Sequence, residues 1–261
     1  MSWTYIRCGV LGKVLVCLHG VGGNASVFEP QLSGLSNNVQ VWSLNLPGYG
    51  DSAPLSVMDW DHLVAGLKQF LDQHHLPKVH LLGHSFGGML AQAFAARYPD
   101  YLASLILYST SAAFGSSNGA FQQQFIESRL KPLNEGATMA QLAEVLIDPL
   151  LAQPSLPPVR HTAIHCMAQV PNETYRQAIK CISEFDCRSN LPLLNLPTLL
   201  LAGAEDTVAS VPMMERLSSK IQHAQLAVLA KAGHLANLEQ VAPFNQQVSD
   251  FITQHDHRQG A

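Results

Sequence analysis

The stretch V-H-L-L-G-H-S-F-G-G-M-L-A-Q-A-F-A-A-R, residues 79–97, runs an apolar strand, a glycine-bracketed serine and an alanine-rich helix together. Val79 to Leu82 is an apolar run that reads as a buried strand. Phe86 to Arg97 carries helical periodicity, and Ala91, Ala95 and Ala96 are small enough for close packing. Gly83-His84-Ser85-Phe86-Gly87 between them is G-x-S-x-G in the strand–turn–helix setting that gives this motif its meaning. So sharp a turn strains the serine backbone and lifts its hydroxyl clear of the sheet. Gly83 and Gly87 are needed because a Cβ at either would collide inside the turn. Ser85 is therefore the candidate nucleophile.

Upstream, Ser2 to Cys8 alternates as a strand and Val14 to Leu18 reads as a second, buried one. The latter opens into His19-Gly20-Val21-Gly22-Gly23-Asn24, where backbone amides can approach a ligand closely. Phosphate binding is disfavoured, because the loop has no Gly-Lys-Ser/Thr and no G-x-G-x-x-G opening a helix. An oxyanion loop and an ordinary glycine turn both remain open. Val39 to Leu44 is another strand, closed by the turn-rich Pro47-Gly48-Tyr49-Gly50-Asp51-Ser52, to which we give a structural role. Trp60 to His74 is amphipathic, with His74 and His75 expected to cap its carboxyl end.

Leu102 to Tyr108 is one more apolar strand, and the alternation implies a mostly parallel central sheet with helices on both faces. The rhythm then breaks. Residues 112–190 hold helical patterns (Phe121 to Leu133, Ala137 to Leu151, Asn172 to Phe185), split by the Pro154/Pro157/Pro158 cluster. This reads as an inserted helical lid between core parts 1–111 and 191–254, with residues 255–261 a frayed tail. The sheet resumes at Pro197 to Ala202, followed by Gly203-Ala204-Glu205-Asp206. A helix from Val211 to Ile221, a strand from Gln225 to Leu229, the loop Ala232-Gly233-His234 and a helix from Pro243 to Gln254 complete the chain.

Ser85, Asp206 and His234 thus fall in the order Ser…Asp…His, each just past a strand. A serine hydroxyl needs an adjacent base. His234 would take its proton, Asp206 would fix the imidazole tautomer, and the backbone amides of Val21 and Phe86 would meet the developing oxyanion. Glu205 is the alternative acid, though Asp206 sits deeper in the loop. His84 is assigned to shaping the site and His19 to bracing the glycine loop. His161 and His165 have a helical i, i+4 spacing, but no H-E-x-x-H accompanies them, so no metal is expected.

With 261 residues, 47% of them apolar and 13% charged, the chain has the means to bury a full core. A net charge of −4 without a basic block argues against a nucleic-acid or membrane-surface partner. Five cysteines without a C-x-x-C fit a reducing compartment, and the apolar run at 14–18 is too short for a signal or membrane helix. We therefore expect a soluble, cytoplasmic protein without a cofactor, leaving its oligomeric state open.

L-H-G-V-G-G at 18–23, G-H-S-F-G-G at 83–88, G-A-E-D at 203–206 and G-H-L-A-N-L-E at 233–239 together resemble the α/β-hydrolase superfamily. Within it, 125–139, 178–186 and 233–239 look most like 3-oxoadipate enol-lactonase-like hydrolases. The short amino terminus departs from the pattern, so an edge strand is expected to be missing. The resemblance implies an α/β-hydrolase fold and hydrolysis of a small-molecule ester or lactone through an acyl-enzyme. Carbon–carbon hydrolysis of a ring-fission product, thioester hydrolysis and a slow-turnover small-molecule receptor stay open as alternatives. A carboxylate-bearing lactone would favour a cation at the pocket, from Arg129, Arg160 or Arg176, against the alternative that all three are surface charges. Arg129, Phe125, Met139 and Met167 are the candidate substrate-binding residues, with Phe86, Met89 and Phe121 further candidates for the wall.

Overall fold

In the computed structural model, residues 2–10, 12–76, 78–115, 119–152 and 157–255 are described. The proposed tail from residue 256, and Pro154, lie outside them. Seven strands among these residues form one sheet in the order β1-β3-β2-β4-β5-β6-β7. They are β1 (Tyr5–Cys8), β2 (Lys13–Leu18), β3 (Val39–Leu44), β4 (Val79–His84), β5 (Leu102–Tyr108), β6 (Thr198–Gly203) and β7 (Ala224–Leu229). All pairings are parallel except β1 with β3. β1 is therefore an antiparallel edge strand, shorter than the expected Ser2–Cys8. Trp3 is drawn instead into the core, its ring against Gly66 and Phe70.

β4 and β6 are buried at every position, which is why both read as mainly apolar runs; the buried His80 of β4 is satisfied by the Ser104 hydroxyl at 2.7 Å. Alternate residues feed two cores. Val16, Leu18, Leu81, Leu105 and Leu200 pack with α2 (Trp60–Gln73), α3 (Phe86–Arg97) and α8 (Val211–Ser218). Leu15, Cys17, Leu82, Ile106 and Leu199 face α1 (Glu29–Leu35) and the closing helix that bears Phe244, Val248 and Phe251. Helix α1 has no counterpart in the sequence expectations. It is short, holds Gly34, and follows a 3-10 turn over Ala25–Phe28, so its periodicity is weak. His74 does not cap the end of α2 through its ring, which lies among Tyr5, Trp42 and Phe70.

Between β5 and β6 the chain leaves the sheet for α4 (Ala120–Asn134), α5 (Met139–Leu146), α6 (Pro157–Ala168) and α7 (Asn172–Ser183). An antiparallel bridge between Ala113 and Asp186 brings the two ends of this insertion together. Two flanking bonds reinforce it: Phe114 N–H to the Phe185 carbonyl at 2.9 Å and Cys187 N–H to the Ala112 carbonyl at 2.8 Å. Pro157 and Pro158 begin α6 rather than interrupt the region, because a first-turn N–H needs no intrahelical acceptor. The chain ends in α9 (Ala236–Glu239) and α10 (Val241–Gln254). Among the described residues no helix is long and apolar enough to cross a membrane.

β2 lies between β3 and β4, so successive connections diverge to opposite sides at its carboxyl end, the place where open α/β sheets form a ligand crevice. The loop after β2 is fixed by His19, which is fully buried. Its Nδ1–H donates to the Gly20 carbonyl at 2.8 Å and its Nε2 accepts from Leu46 N–H at 3.1 Å. Burial holds this imidazole down to about 4, so it is neutral. Gly87 makes the complementary contact from the other side, with a Cβ position that overlaps the Leu18 carbonyl.

Two outcomes follow from this packing. Gly87→Ala should cost at least about 2 kcal/mol in chemical denaturation, because the obstructing atom is backbone and cannot turn aside. The unfolded chain takes up a proton at His19 near pH 6.5, whereas the folded one does so only near 4. Stability should therefore be complete above about pH 6.5 and fall as pH drops toward 4, by on the order of 3 kcal/mol from this residue. His19→Gln, compared with the parent across that window by denaturant unfolding, should show a shallower acid slope.

Candidate active site

Ser85 stands between the last residue of β4 and the first of α3, with φ 51° and ψ −113°. That backbone is costly for a residue with a Cβ and persists because its surroundings hold it. Ser85 N–H donates to the Tyr108 carbonyl at 3.0 Å, and the Thr110 hydroxyl donates to the Ser85 carbonyl at 2.8 Å. A Cβ at Gly83 would overlap the Gly87 carbonyl and stand 2.6 Å from the Gly88 Cα. The elbow thus has the strain and the glycine requirement expected from its motif.

Asp206 and His234 meet at the carboxyl ends of β6 and β7. His234 Nδ1 is 2.9 Å from Asp206 Oδ2, with both side chains almost wholly buried. The other carboxylate oxygen accepts from Val208 N–H at 2.8 Å and Ala209 N–H at 2.9 Å. Burial alone would push this carboxyl up. The adjacent imidazole and the two amides outweigh it and hold Asp206 well below the usual carboxylate range. Glu205 is exposed and does not take part. With Nδ1–H donated to a carboxylate, His234 keeps Nε2 as its acceptor.

The backbone of the histidine loop is held as firmly as its ring. The His234 carbonyl accepts from Tyr108 Oη–H at 2.8 Å and from His84 Nε2–H at 2.9 Å. His84 stacks on Tyr108 with ring centroids 4.5 Å apart, and burial keeps it neutral. Asn237 Nδ2–H reaches the Val27 carbonyl at 2.8 Å, tying this loop to the segment after β2. His84 therefore shapes the site through His234.

Across from the elbow, the 20–23 loop is closed by Gly23 N–H on the Gly20 carbonyl at 2.9 Å. It is braced by Tyr49 Oη–H on the Val21 carbonyl at 3.1 Å. Thr174 of α7 in turn packs on Gly48 and donates to its carbonyl, so the 47–52 turn links the insertion to the glycine loop. Phe86 is the first residue of α3, where an amide lacks an intrahelical acceptor and the helix dipole is positive. Neither Val21 N–H nor Phe86 N–H donates a hydrogen bond within the described chain.

Ser85, His234, Val21 and Phe86 all line one cavity of about 700 Å³ between the strand ends and the insertion. Its wall is mostly apolar, and Phe125, Met167, Met89 and Phe121 belong to it as expected. Met167 packs against Gly22 of the glycine loop. Met139 is the exception, since it is buried in the interior at the start of α5 and does not reach the wall. Position along an apolar helix face does not say which apolar neighbours surround it.

The three arginines separate clearly. Arg160 is paired with Asp148 at 2.6 Å and Glu144 at 2.8 Å, and Arg176 bonds Asn172 and Asn134 on the outer face. Arg129 lines the cavity, half-buried, with its guanidinium 5.6 Å from the Phe125 ring centroid. No carboxylate pairs with it among the described residues. His161 and His165 do stack at 6.2 Å, but His165 Nε2 accepts from Gln169, and no group of three potential metal ligands stands together among the described residues.

The sequence assigns no role at the site to Tyr108, Tyr49, Thr110 or Glu239. Only Glu239 had a local signal, the spacing G-H-x-x-x-x-E; the others act through contacts between distant segments.

Comparisons with known proteins identify the fold and family. A family model described as alpha/beta hydrolase fold matches residues 13–241. The chain is 27% identical over 237 residues to 3-oxoadipate enol-lactonase 2 of Acinetobacter baylyi, covering 90% of this chain and 86% of that one. A thermophilic esterase from Thermogutta terrifontis superposes with a TM-score of 0.89 at 26% identity, over 97% of this chain and 93% of that one. The enol-lactonase from Burkholderia xenovorans LB400 shares the fold, with a TM-score of 0.87 at 24% identity over 96% of each chain. The family match starts on the first residue of β2 and ends on the first of α10, taking in every loop of the site, and the chain belongs to the alpha/beta hydrolase family.

Proposed function

We propose that this protein is a serine hydrolase that opens a small carboxylic ester or lactone through an acyl-enzyme. The observation that carries the reading is the buried Asp206–His234 pair on the same cavity as a serine held at positive φ. His234 Nε2 accepts the Ser85 proton as Oγ attacks the carbonyl carbon. The carbonyl oxygen, now negative, is received by the amides of Val21 and Phe86. The tetrahedral intermediate collapses, the carbon–oxygen ester bond breaks, and His234 returns the proton to the leaving oxygen. Water then repeats the sequence on the acyl-enzyme, releasing the acid and restoring Ser85. Asp206 stays ionised throughout and stabilises the imidazolium.

The α4–α7 insertion acts in this reading as a lid, whose apolar wall excludes water and receives the body of the substrate. Arg129 is the site for a substrate carboxylate distal to the scissile bond. It reaches the cavity without a carboxylate partner among the described residues, and a guanidinium binds carboxylates in bidentate fashion. An enol-lactonase among the relatives is consistent with such a substrate.

Ser85→Ala should lower turnover of a p-nitrophenyl ester by at least about 10⁴-fold. A fluorophosphonate should label the parent at Ser85 alone, as read by peptide mass spectrometry. Unchanged turnover together with no label at Ser85 refutes the assignment. Arg129→Ala should reduce kcat/KM roughly 10- to 100-fold on esters or lactones bearing a distal carboxylate, the scale of one charged hydrogen-bond pair. Neutral esters of the same length should be nearly unaffected, and equal losses on both series would remove Arg129 from substrate binding.

A further inference from the structure

Glu239, the last residue of α9, is a buried carboxylate that the reaction as written does not use. Its two oxygens go to two different parts of the chain. Oε2 accepts from Gly233 N–H at 2.7 Å, on the residue just before His234. Oε1 accepts from Ala152 N–H, also at 2.7 Å, two residues past the 3-10 turn Asp148–Leu150 in the insertion. Between these bonds His234 N–H donates to the Leu150 carbonyl at 2.8 Å. The two backbones are flush: a Cβ on Gly233 would stand 2.5 Å from the Leu150 oxygen and 2.7 Å from the Ala152 nitrogen.

From this joint we infer that Glu239 is a positioning residue for the hydrolytic reaction, locking the His234 loop to the 148–152 segment of the insertion. The inference rests on the assignment of Ser85, His234 and Asp206 given above. Asp206 sets the rotation of the imidazole, while Glu239 sets the backbone from which the imidazole hangs. The segment at the other end of the carboxylate is also cavity wall, since Ile147 and Leu150 line it. The general base and this part of the cavity wall are thereby held in one frame. A displacement of the base by about 1 Å is enough to cost a large factor in rate.

The chemistry of the joint also dictates the residue. Two N–H donors converge on one side chain, so both of its terminal atoms must be acceptors, as only a carboxylate's are. Glutamine has the same shape but turns an NH2 group toward one of the amides, and so satisfies one strand of the joint while repelling the other. The isosteric neutral substitution therefore breaks the coupling without opening a cavity.

The test compares the parent, Glu239→Gln, Glu239→Asp and Ser85→Ala with p-nitrophenyl butyrate. It reads kcat, KM, the pH profile of kcat/KM, and the rate of fluorophosphonate labelling at Ser85. Glu239→Gln should lower kcat roughly 10- to 100-fold with little change in KM, shift the acid limb of the profile, and slow labelling in proportion. Glu239→Asp, with both acceptors kept on a shorter stem, should recover part of the loss. A folded Glu239→Gln protein with the parent's kcat and pH profile, even at a lower Tm, would reduce Glu239 to a structural residue and overturn the inference.

If Glu239→Gln does not fold, amide exchange in the parent decides. Gly233 and Ala152 should be protected and open at a common rate, whereas Ala152 exchanging far faster in the fully active enzyme would overturn the coupling. Ser85→Ala separates the two failures. Turnover that survives it defeats the triad reading and this inference with it. Turnover that requires Ser85 but ignores Glu239→Gln defeats this inference alone.

Discussion

The contact between the turn after β4 and the end of β2 is the constraint on which the site depends. Gly87 N–H donates to the His19 carbonyl at 3.1 Å, with the Leu18 carbonyl where a Cβ would be. This approach sets the backbone of Ser85, aims the amino terminus of α3 into the cavity, and brings the Phe86 amide opposite the 20–23 loop. Strain at a non-glycine positive φ costs on the order of 1–3 kcal/mol, so it must be imposed from outside. Here the Tyr108 carbonyl and the Thr110 hydroxyl hold the two sides of Ser85, while apolar burial on both faces of β4 keeps the strand from shifting.

The rest of the site repeats this logic, in which buried backbone is held by side chains from elsewhere. His19 and Tyr49 hold the glycine loop, Tyr108 and His84 hold the His234 carbonyl, and Glu239 holds the amide before it. The insertion then covers a cavity whose polar groups are few. Low polarity around a buried Asp–His pair strengthens its interaction, and it raises the cost of any polar group left unpaired. Arg129, on such a wall and without a carboxylate partner among the described residues, therefore stands out against the paired Arg160 and the outward Arg176.

Local sequence carried the parts whose physics is local. Buried parallel strands must be apolar on both faces, so β2, β4, β5 and β6 were legible as runs. The elbow was legible because its two glycines answer to a turn of a few residues. Helices α1 and α6 were less so, because one is short and glycine-containing and the other begins with prolines that look like breakers. Met139 shows the limit of reading an apolar position. The helix and its burial could be anticipated, but whether its side chain met the cavity or the packed interior could not.

By itself the sequence determined the order of the strands and of the longer amphipathic helices, the elbow, and the candidates Ser85, Asp206 and His234 with the loops that bear them. These follow from periodicity and turn chemistry, which act over a few residues. Only the tertiary structure decided that Asp206 rather than Glu205 meets His234, that Arg129 faces the cavity, and that Glu239 joins residues 152 and 233. Those outcomes depend on which distant segments the packed sheet brings together, and no local pattern encodes that choice.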